Sequence, residues 1–307
     1  MIVVQKPEKH AYLILWHKND SQLIRLLQTL DDERNDIYIH ADKKTQGFSQ
    51  DKLKNAVKRA NVFFTKRIRV TWGGYSVVKA TLVLLKESTD NGEYAYYHLL
   101  SGEDLPIKTQ EYIHEFCQKN ADREFVKIKS GAATDPERQE KLAYYRFFQE
   151  LARKNSSFSK LFARAEKVSL SIQKRLNVNR IRGKENLLYS SSQWFSITHD
   201  FAKHILRQEK RIARQFRWTN CPDEVFVQSI VMNSGFRSRV HPNMRLIDWE
   251  RREEKSHPHI FRKEDYGMLR GSDCLFARKF DETVDAEIID RVVTELSCPQ
   301  HPESKGY

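Results

Sequence analysis

The sequence contains no run of apolar residues long enough to cross a bilayer, since a membrane-spanning helix needs roughly 18 or more of them in a row. Its N-terminus, MIVVQKPEKHAYLILW, has no basic segment followed by a long apolar one, so we expect no signal peptide. The four cysteines are scattered, with no CxxC pair and no zinc-finger spacing, which is typical of reduced thiols. These absences predict a cytoplasmic protein and leave peripheral contact with the inner face of the membrane open.

Several motifs of well-known sites are missing as well. No GxGxxG follows the first predicted strand and no GxxxxGK[ST] occurs, so the dinucleotide and P-loop classes have no support. No HxxxH pair, no Cys/His cluster and no GxSxG elbow is present. The chain also lacks an Asp-x-Asp pair, which many enzymes of nucleotide sugars use to hold a divalent ion. The sequence therefore offers no motif for a bound metal ion or an organic cofactor.

Positive charge is concentrated in one segment. Lys and Arg number 53 against 41 Asp and Glu, which gives a net charge of +12 over 307 residues. Residues 145–184 alone contain eleven Lys and Arg against two Glu, a difference of +9. Such a segment is typical of a surface that meets nucleic acid, anionic lipid or an acidic substrate.

Hydrophobic patterning predicts an α/β fold. Short apolar or alternating runs predict strands, and apolar residues at helical spacing predict the helices between them. The predicted strands are 10–16, 36–42, 61–65, 69–72, 94–101, 192–198, 245–249 and 274–280, and the helix-only part runs from about 135 to 177. Strands that alternate with helices predict a mostly parallel sheet covered on both faces. We expect a single domain over 1–307 with a basic helical insertion at about 135–185.

Polar side chains come at the ends of several predicted strands. His17 ends the first strand, Asp42 the second and Trp72 the fourth, while the loop SGED follows the fifth. In open α/β sheets, ligands bind outside the carboxyl ends of the strands. Each residue alone also fits a purely structural role: Asp42 is a residue type that caps loops, and a Trp such as Trp72 more often packs in a core than contacts a ligand.

The stretch TNCPDEVFVQS has two readings. Pro222 suits a first helical turn, and the acidic Asp223 and Glu224 complement the positive end of a helix dipole, so the stretch predicts a helix start with Asp223 as cap. Alternatively, Glu224 is a carboxylate held on a rigid element as a general base. The two readings are compatible, because a helix terminus is a rigid place for a base.

Six segments in order resemble one family: IYIHADKK, VTWGGYSVVKATLVLL, HLLSGEDLPIKT, SSQWFSIT, CPDEVFVQ and SDCLFARKF. Together they resemble the core-2/I-branching β-1,6-N-acetylglucosaminyltransferase and peptide O-xylosyltransferase family, over residues 10–290. The resemblance implies a GT-A fold, which is a Rossmann-type mixed sheet flanked by helices. It also implies inverting, metal-independent transfer of a sugar from a UDP-sugar to a hydroxyl.

The resemblance implies roles for individual residues of this chain. Glu224 would be the general base, Arg278 and Lys279 would bind the diphosphate, and Gln193 and Trp194 would contact the donor sugar. The remaining UDP-binding residues would be Leu15, His17, Asp42, Trp72 and Ser256, the last with a spacing that differs from the family by one residue. Gln193 stands where the xylosyltransferases carry Asp, which leaves the donor open between GlcNAc and xylose.

The missing anchor and disulfides suit a bacterial enzyme of polysaccharide or glycolipid synthesis, whose partners would be a UDP-sugar and a saccharide or glycolipid acceptor. The alternative is a basic protein that uses residues 145–184 to bind nucleic acid or anionic membrane. Nucleic-acid binding would need exposed stacking aromatic residues. The helical period predicts instead that Phe147, Phe148, Phe158 and Phe162 face a core, so we expect no nucleic-acid partner.

Overall fold

A seven-stranded mixed sheet forms the centre of the molecule. The structure is a computed structural model and describes residues 8–18, 20–131, 135–154, 157–254 and 257–297. The strands are β1 (His10–Trp16), β2 (Asn35–Ala41), β3 (Asn61–Phe64), β4 (Tyr96–Ser101), β5 (Asp104–Pro106), β6 (Glu124–Val126), β7 (Ser130–Gly131), β8 (Tyr189–Ser190), β9 (Phe195–Thr198), β10 (Val240–His241), β11 (Arg245–Ile247) and β12 (Phe276–Arg278). The helices are α1 (Asp20–Thr29), α2 (Gln50–Lys54), α3 (Tyr75–Asn91), α4 (Gln110–Lys119), α5 (Pro136–Ala143), α6 (Gln149–Ala152), α7 (Ser159–Arg175), α8 (His199–Arg207), α9 (Glu209–Phe216), α10 (Phe226–Met232), α11 (Tyr266–Gly271) and α12 (Ala286–Ser297).

The strand order of the central sheet is β10-β6-β9-β4-β1-β2-β3. Strands β3, β2, β1 and β4 are parallel, and β9 runs antiparallel to both β4 and β6. A smaller sheet, β11-β12-β5, pairs β12 antiparallel to β5. The predicted fold class, a mixed α/β sheet flanked by helices with a basic helical insertion, is confirmed.

Strand β1 shows why the sheet is buried on both faces. Its side chains alternate between two cores: Ala11 and Leu13 pack with α3, α8 and α10, whereas Tyr12 and Ile14 pack with α1, α4 and α12. All four are 0% exposed. Burial of an aliphatic side chain of this size contributes roughly 1.5–3 kcal/mol. The helical layers therefore fix the sheet, and its carboxyl edge is left for loops.

The prediction of a strand at 69–72 is wrong. These residues form a loop whose amides bond to side chains rather than to a neighbouring strand. The Val70 N–H donates to Oδ1 of Asp42 at 3.3 Å, and the Thr71 N–H donates to Oγ of Ser76 at 2.8 Å. Trp72 consequently lies in a loop and does not end a strand.

The predicted helix start at Pro222 also differs from the structure. Residues Pro222–Glu224 form a 3₁₀ turn, and α10 begins after it at Phe226. Asp223 does not cap the turn with its side chain, so that prediction is wrong as well. The turn is set by Cys221, which adopts a left-handed conformation with φ of 49°. The helix predicted over 199–216 is divided into α8 and α9 around Gln208.

Helices α5, α6 and α7 occupy the segment expected to be a helical insertion. Phe148 and Phe162 stack on each other with ring centroids 6.3 Å apart. Phe147 and Phe158 are 41% and 64% exposed, so the prediction that they face a core is wrong. The period of a helix predicts which residues share a face and does not predict what that face contacts. None of the helices in the described ranges has the length and hydropathy that crossing a bilayer requires.

Candidate active site

Arg278 lies where β12 ends beside the SGED loop. Its Nη1 donates to Oδ1 of Asp104 at 2.9 Å and to Oγ of Ser101 at 3.2 Å. The loop itself is fixed by Asp104, whose Oδ2 accepts the Ser101 N–H at 2.7 Å. Only 13% of the Arg278 side chain is exposed, so its guanidinium is held by the fold before any ligand binds.

Lys279 and Lys18 converge on one carboxylate, Glu103. Their Nζ atoms lie 3.2 Å and 3.0 Å from its Oε1, and Lys18 also lies 3.3 Å from Asp281. Burial acts to raise the pKa of Glu103, but Lys279, Arg278 and Lys18 outweigh it and hold that pKa below its usual value. Glu103, Asp104 and Asp281 balance the charges of these cations, so the cluster holds Lys and Arg donors in fixed positions at the carboxyl ends of β1, β4 and β12.

Trp194 connects this cationic group to the SQW segment. The guanidinium carbon of Arg278 lies 4.3 Å from the centroid of the Trp194 ring, a cation–π contact. Asn243 donates to the Trp194 carbonyl at 3.1 Å, and the ring is buried. Gln193 precedes Trp194 and is partly buried. Trp194 and Arg278 therefore form one surface, although they are far apart in the sequence.

The turn that carries Glu224 is bonded to two predicted site segments. The Ser191 N–H donates to the Glu224 carbonyl at 2.9 Å, directly before the SQW segment. The Cys221 N–H donates to the Gly73 carbonyl at 2.9 Å, directly after Trp72. Gly73 has φ of +67°, and a side chain there would approach Arg153 and Cys221 closely.

Arg138 of helix α5 forms an ion pair with Glu224. Its Nη1 donates to Oε2 of the carboxylate at 2.7 Å, and both side chains are partly exposed, 23% for Arg138 and 36% for Glu224. Arg138 therefore contacts the Glu224 carboxylate directly and is placed to orient it.

Asp223 lies beside Glu224 in an unfavourable environment for a charge. Its Oδ1 is shielded from solvent, and no hydrogen-bond partner for it is present among the described residues. Burial, followed by the nearby charge of Glu224, raises the pKa of Asp223 from its usual 3.8 to about 7. The fold therefore favours the protonated carboxyl.

Replacing Asp223 by Asn should stabilise the protein at alkaline pH. Between about pH 4 and 7 the folded state holds the Asp223 proton while the unfolded chain releases it. The free energy of unfolding of the wild type therefore falls as the pH rises through that window. The variant lacks this penalty, and we expect its free energy of unfolding to exceed that of the wild type by up to about 4 kcal/mol at pH 8 and to match it near pH 4. Urea unfolding at both pH values measures the difference. Equal stabilities at pH 8 would contradict a raised pKa.

Leu15, His17 and Asp42 meet at the end of β1. The Leu15 carbonyl accepts the N–H of Gly102 in the SGED loop at 3.2 Å. The Asp42 N–H donates to the Trp16 carbonyl at 2.9 Å, which brings the end of β2 beside His17. The Asp42 carboxylate accepts the Lys44 N–H at 2.9 Å, so it also has the loop-capping role that its position suggests.

Trp72 projects from the loop after β3 and is 62% exposed. The guanidinium of Arg153 lies 5.0 Å from its ring centroid and also donates to its carbonyl at 2.7 Å. Gln149 of α6 bonds to the carbonyls of Gly73 and Thr219 at 3.0 Å and 2.8 Å. The helical insertion is thus attached to the loops that carry Trp72 and Glu224.

One group of His and Cys side chains in the described residues has ligand atoms within 4.8 Å of one another: His10, His98 and Cys117. It lies at the beginning of β1, about 20 Å from the end where His17 lies. Nδ1 of His10 and Nε2 of His98 are already 3.1 Å apart in a hydrogen bond, and the buried Arg245 opposes a further cation there. We interpret this group as part of the core.

A cavity of about 430 Å³ opens between the insertion and helices α9 and α10. Arg180, Arg211 and Arg214 are among its lining residues, and none of the predicted site residues lines it. Two main-chain carbonyls, of Trp218 and Gln215, accept hydrogen bonds from Arg180. The strand ends bring Lys18, Arg278 and Lys279 together with the ring of Trp194, so we place the candidate active site there.

Comparison with known proteins decides the family. The Core-2/I-Branching enzyme family matches residues 10–269 of the chain. The chain belongs to this family. Its predicted membership of a family of sugar-transferring enzymes is confirmed.

Curated relatives of this Core-2/I-branching chain are xylosyltransferases. Xylosyltransferase 2 of Rattus norvegicus is 26% identical over 323 residues, and that of Homo sapiens is 25% identical over 327 residues. The alignments cover 97% and 98% of this chain and 35% of each relative, so the chain spans about a third of their length. Among solved structures, mouse xyloside xylosyltransferase 1 in its apo form has a TM-score of 0.37 and 10% identity, over 87% of this chain and 96% of that one.

The structure brings most of the family-implied residues together and adds others. Trp194, Arg278 and Lys279 form one group, Leu15, His17 and Asp42 form a second beside it, and Ser256 lies outside the described residues. Lys18, Glu103, Arg138 and Arg153 were not among the predicted site residues. Lys18 and Glu103 had a local signal, because both follow predicted strands. Arg138 and Arg153 had none, since only tertiary packing brings the insertion to the site.

Proposed function

We propose that this Core-2/I-branching family member is an inverting, metal-independent glycosyltransferase that moves a sugar from a UDP-sugar to an acceptor hydroxyl. The observation that carries the proposal is a chain of contacts that links Glu224 to Ser191 by a hydrogen bond and Trp194 to Arg278 by a cation–π contact. The turn that carries Glu224 is bonded to the residue just before the SQW segment, and Arg278 contacts the Trp194 ring of that segment. Family membership supports the reaction class.

In the proposed reaction, Glu224 takes the proton of the acceptor hydroxyl. The acceptor oxygen attacks the anomeric carbon on the face opposite to UDP, and the bond from that carbon to the β-phosphate oxygen breaks. UDP leaves with the electron pair, so the anomeric configuration inverts. Positioning makes a carboxylate effective in this role, although it is a weak base in water. The ion pair with Arg138 fixes the carboxylate in one orientation.

Arg278 and Lys279 would stabilise the departing diphosphate. Arg offers a planar fork that fits phosphate oxygens, and Lys adds a compact charge. Both are largely buried and fixed by Asp104 and Glu103. Their charged groups therefore need to move little when negative charge develops on the leaving diphosphate. Lys18, which contacts the same Glu103, would add a third cation.

The remaining assignments follow from the same arrangement. Gln193 and Trp194 would contact the donor sugar, which is GlcNAc or xylose in this proposal. The uridine would lie near Leu15, His17, Asp42 and Trp72, and Ser256 would contact a phosphate. The acceptor would be a saccharide or a glycolipid, in bacterial polysaccharide or glycolipid synthesis. Peripheral contact of a cytoplasmic enzyme with an anionic membrane belongs to the same proposal.

A panel of UDP-sugars, each with and without EDTA, tests the reaction class. We expect one UDP-sugar to release UDP, with an acceptor or by slow hydrolysis, at a rate that EDTA leaves unchanged within about twofold, because side-chain cations replace the metal. UDP formation measured by a coupled assay gives both rates. Activity abolished by EDTA and restored by Mg²⁺ or Mn²⁺ would overturn metal independence, and no turnover or binding of any UDP-sugar would overturn the transferase.

A further inference from the structure

Helix α7 carries an apolar row on its outer surface. The α7 stripe consists of Phe158, Leu161, Val168, Ile172 and Leu176, which are 64%, 59%, 57%, 51% and 70% exposed. Their spacings of three, four or seven residues place them on one side of the helix. Single exposed apolar residues are ordinary, but five on one helix face form a contiguous patch.

The side of α7 that faces the protein is attached by hydrogen bonds of Glu166 and Gln173 and by the stacking of Phe162 on Phe148. Oε2 of Glu166 accepts the Phe148 N–H at 2.8 Å. Gln173 accepts the Tyr145 N–H at 2.8 Å and donates to the Tyr145 carbonyl at 2.9 Å. A surface helix normally turns its apolar side to the core and its polar side to water. Here hydrogen bonds attach the helix, and the α7 stripe is left for another contact.

Basic residues lie next to the α7 stripe. Lys160, Arg164, Lys167 and Arg175 are exposed. At about 100° per residue, they lie roughly a quarter turn around the helix from the stripe. An apolar row flanked by a row of Lys and Arg is the arrangement of a helix that lies in the plane of a bilayer surface.

We propose that α7 is a membrane-docking surface and that its partner is a bilayer containing anionic lipid. The α7 stripe would enter the boundary between headgroups and acyl chains, while the basic row meets lipid phosphates. A second copy of the chain fits this surface less well, because pairing two α7 helices would bring their basic rows together. The inference rests on the exposure and charge of α7 and does not require the proposed sugar transfer.

If the proposed transfer also holds, docking would place the site beside the membrane. The insertion contacts the site directly, through Arg138 on Glu224 and through Arg153 on Trp72. A glycolipid acceptor held in the bilayer would then be near the base. This step alone depends on the proposed function, and vesicle binding is measured without any sugar.

Co-sedimentation with vesicles tests the docking surface. We compare phosphatidylcholine vesicles with vesicles in which about a third of the lipid is phosphatidylglycerol. The full chain should bind the anionic vesicles at least about tenfold more tightly. The double variant Val168→Gln, Ile172→Gln should lose at least about tenfold of that affinity, because two exposed apolar side chains no longer enter the bilayer. The control Met268→Gln, Val284→Gln changes two exposed apolar residues elsewhere and should stay within about twofold.

Charge variants test the basic row separately. Lys160→Gln with Lys167→Gln should weaken binding to anionic vesicles about fivefold for each charge removed. The control Lys52→Gln with Lys54→Gln removes two charges from helix α2 and should have a smaller effect. Melting temperatures of all variants report whether they fold as the wild type does.

Three results would overturn the proposal. The first is equal binding to neutral and anionic vesicles, or none to either. The second is a wild-type dimer in analytical ultracentrifugation that the Val168→Gln, Ile172→Gln variant dissociates, which would assign the α7 stripe to a second copy. The third is binding of single-stranded RNA that the Lys160→Gln, Lys167→Gln variant loses while vesicle binding is absent.

Discussion

Glu224→Gln is expected to lower kcat for sugar transfer about 10²- to 10⁴-fold and to leave the Kd for UDP within about twofold. Glutamine has the shape of glutamate and can still accept a hydrogen bond from Arg138, but it cannot take the acceptor proton. The nucleotide is proposed to contact other residues, so its affinity should not depend on the carboxylate. Steady-state kinetics with the preferred UDP-sugar, together with UDP titration calorimetry, measure both quantities.

Arg138→Gln is the matched control, because it breaks the same ion pair and keeps the carboxylate. If Glu224 only supports the fold, both variants should lower the melting temperature alike and both should retain transfer. If Glu224 is the base, Glu224→Gln should lose transfer far more than Arg138→Gln, which removes only the group that orients the carboxylate, and both variants should fold. Transfer at a near wild-type rate in Glu224→Gln would show that the base is another group, with the neighbouring Asp223 as the next carboxylate to replace.

Elements whose pattern follows from burial were predictable from the sequence. The apolar run 10–16 has the same bounds as β1, because a strand covered on both faces leaves no position for a polar side chain in its middle. The helix beginning at Tyr75 after Gly73-Gly74 was predicted from apolar residues at helical spacing. Positions at strand ends, such as His17 and Asp42, were predicted to meet because parallel strands end at one edge of the sheet.

Features that depend on distant partners were not predictable. The alternation in RVTW resembles a strand, but the amide of Val70 bonds to the side chain of Asp42 instead. The period of α7 identifies which residues share a face, yet only the packing of Glu166 and Gln173 shows that this face is turned outward. Arg138 and Glu224 are 86 positions apart, and no local pattern connects them.

Lys279→Met is expected to weaken UDP binding about 10- to 100-fold and to leave uridine binding unchanged. A hydrogen bond to a charged group contributes about 1.5–3 kcal/mol, and within the ligand only the diphosphate carries a charge that the Lys279 ammonium can bind. Titration calorimetry with UDP and with uridine separates the two parts of the ligand. Lys86→Met removes an exposed charge of helix α3 and should leave both affinities unchanged.

The neighbouring Glu103 offers a second explanation for a loss of UDP affinity in Lys279→Met, and this explanation can be tested. Removing Lys279 takes away one of the cations around this carboxylate, so UDP could bind weakly because Glu103 repels it. The double variant Lys279→Met, Glu103→Gln distinguishes the two causes, since it removes the repulsion without restoring a donor. We expect UDP binding to remain at least about tenfold weaker than in the wild type. Recovery to wild-type affinity would mean that Lys279 acts only by neutralising Glu103, and Arg278 and Lys18 would then be the cations that meet the phosphates.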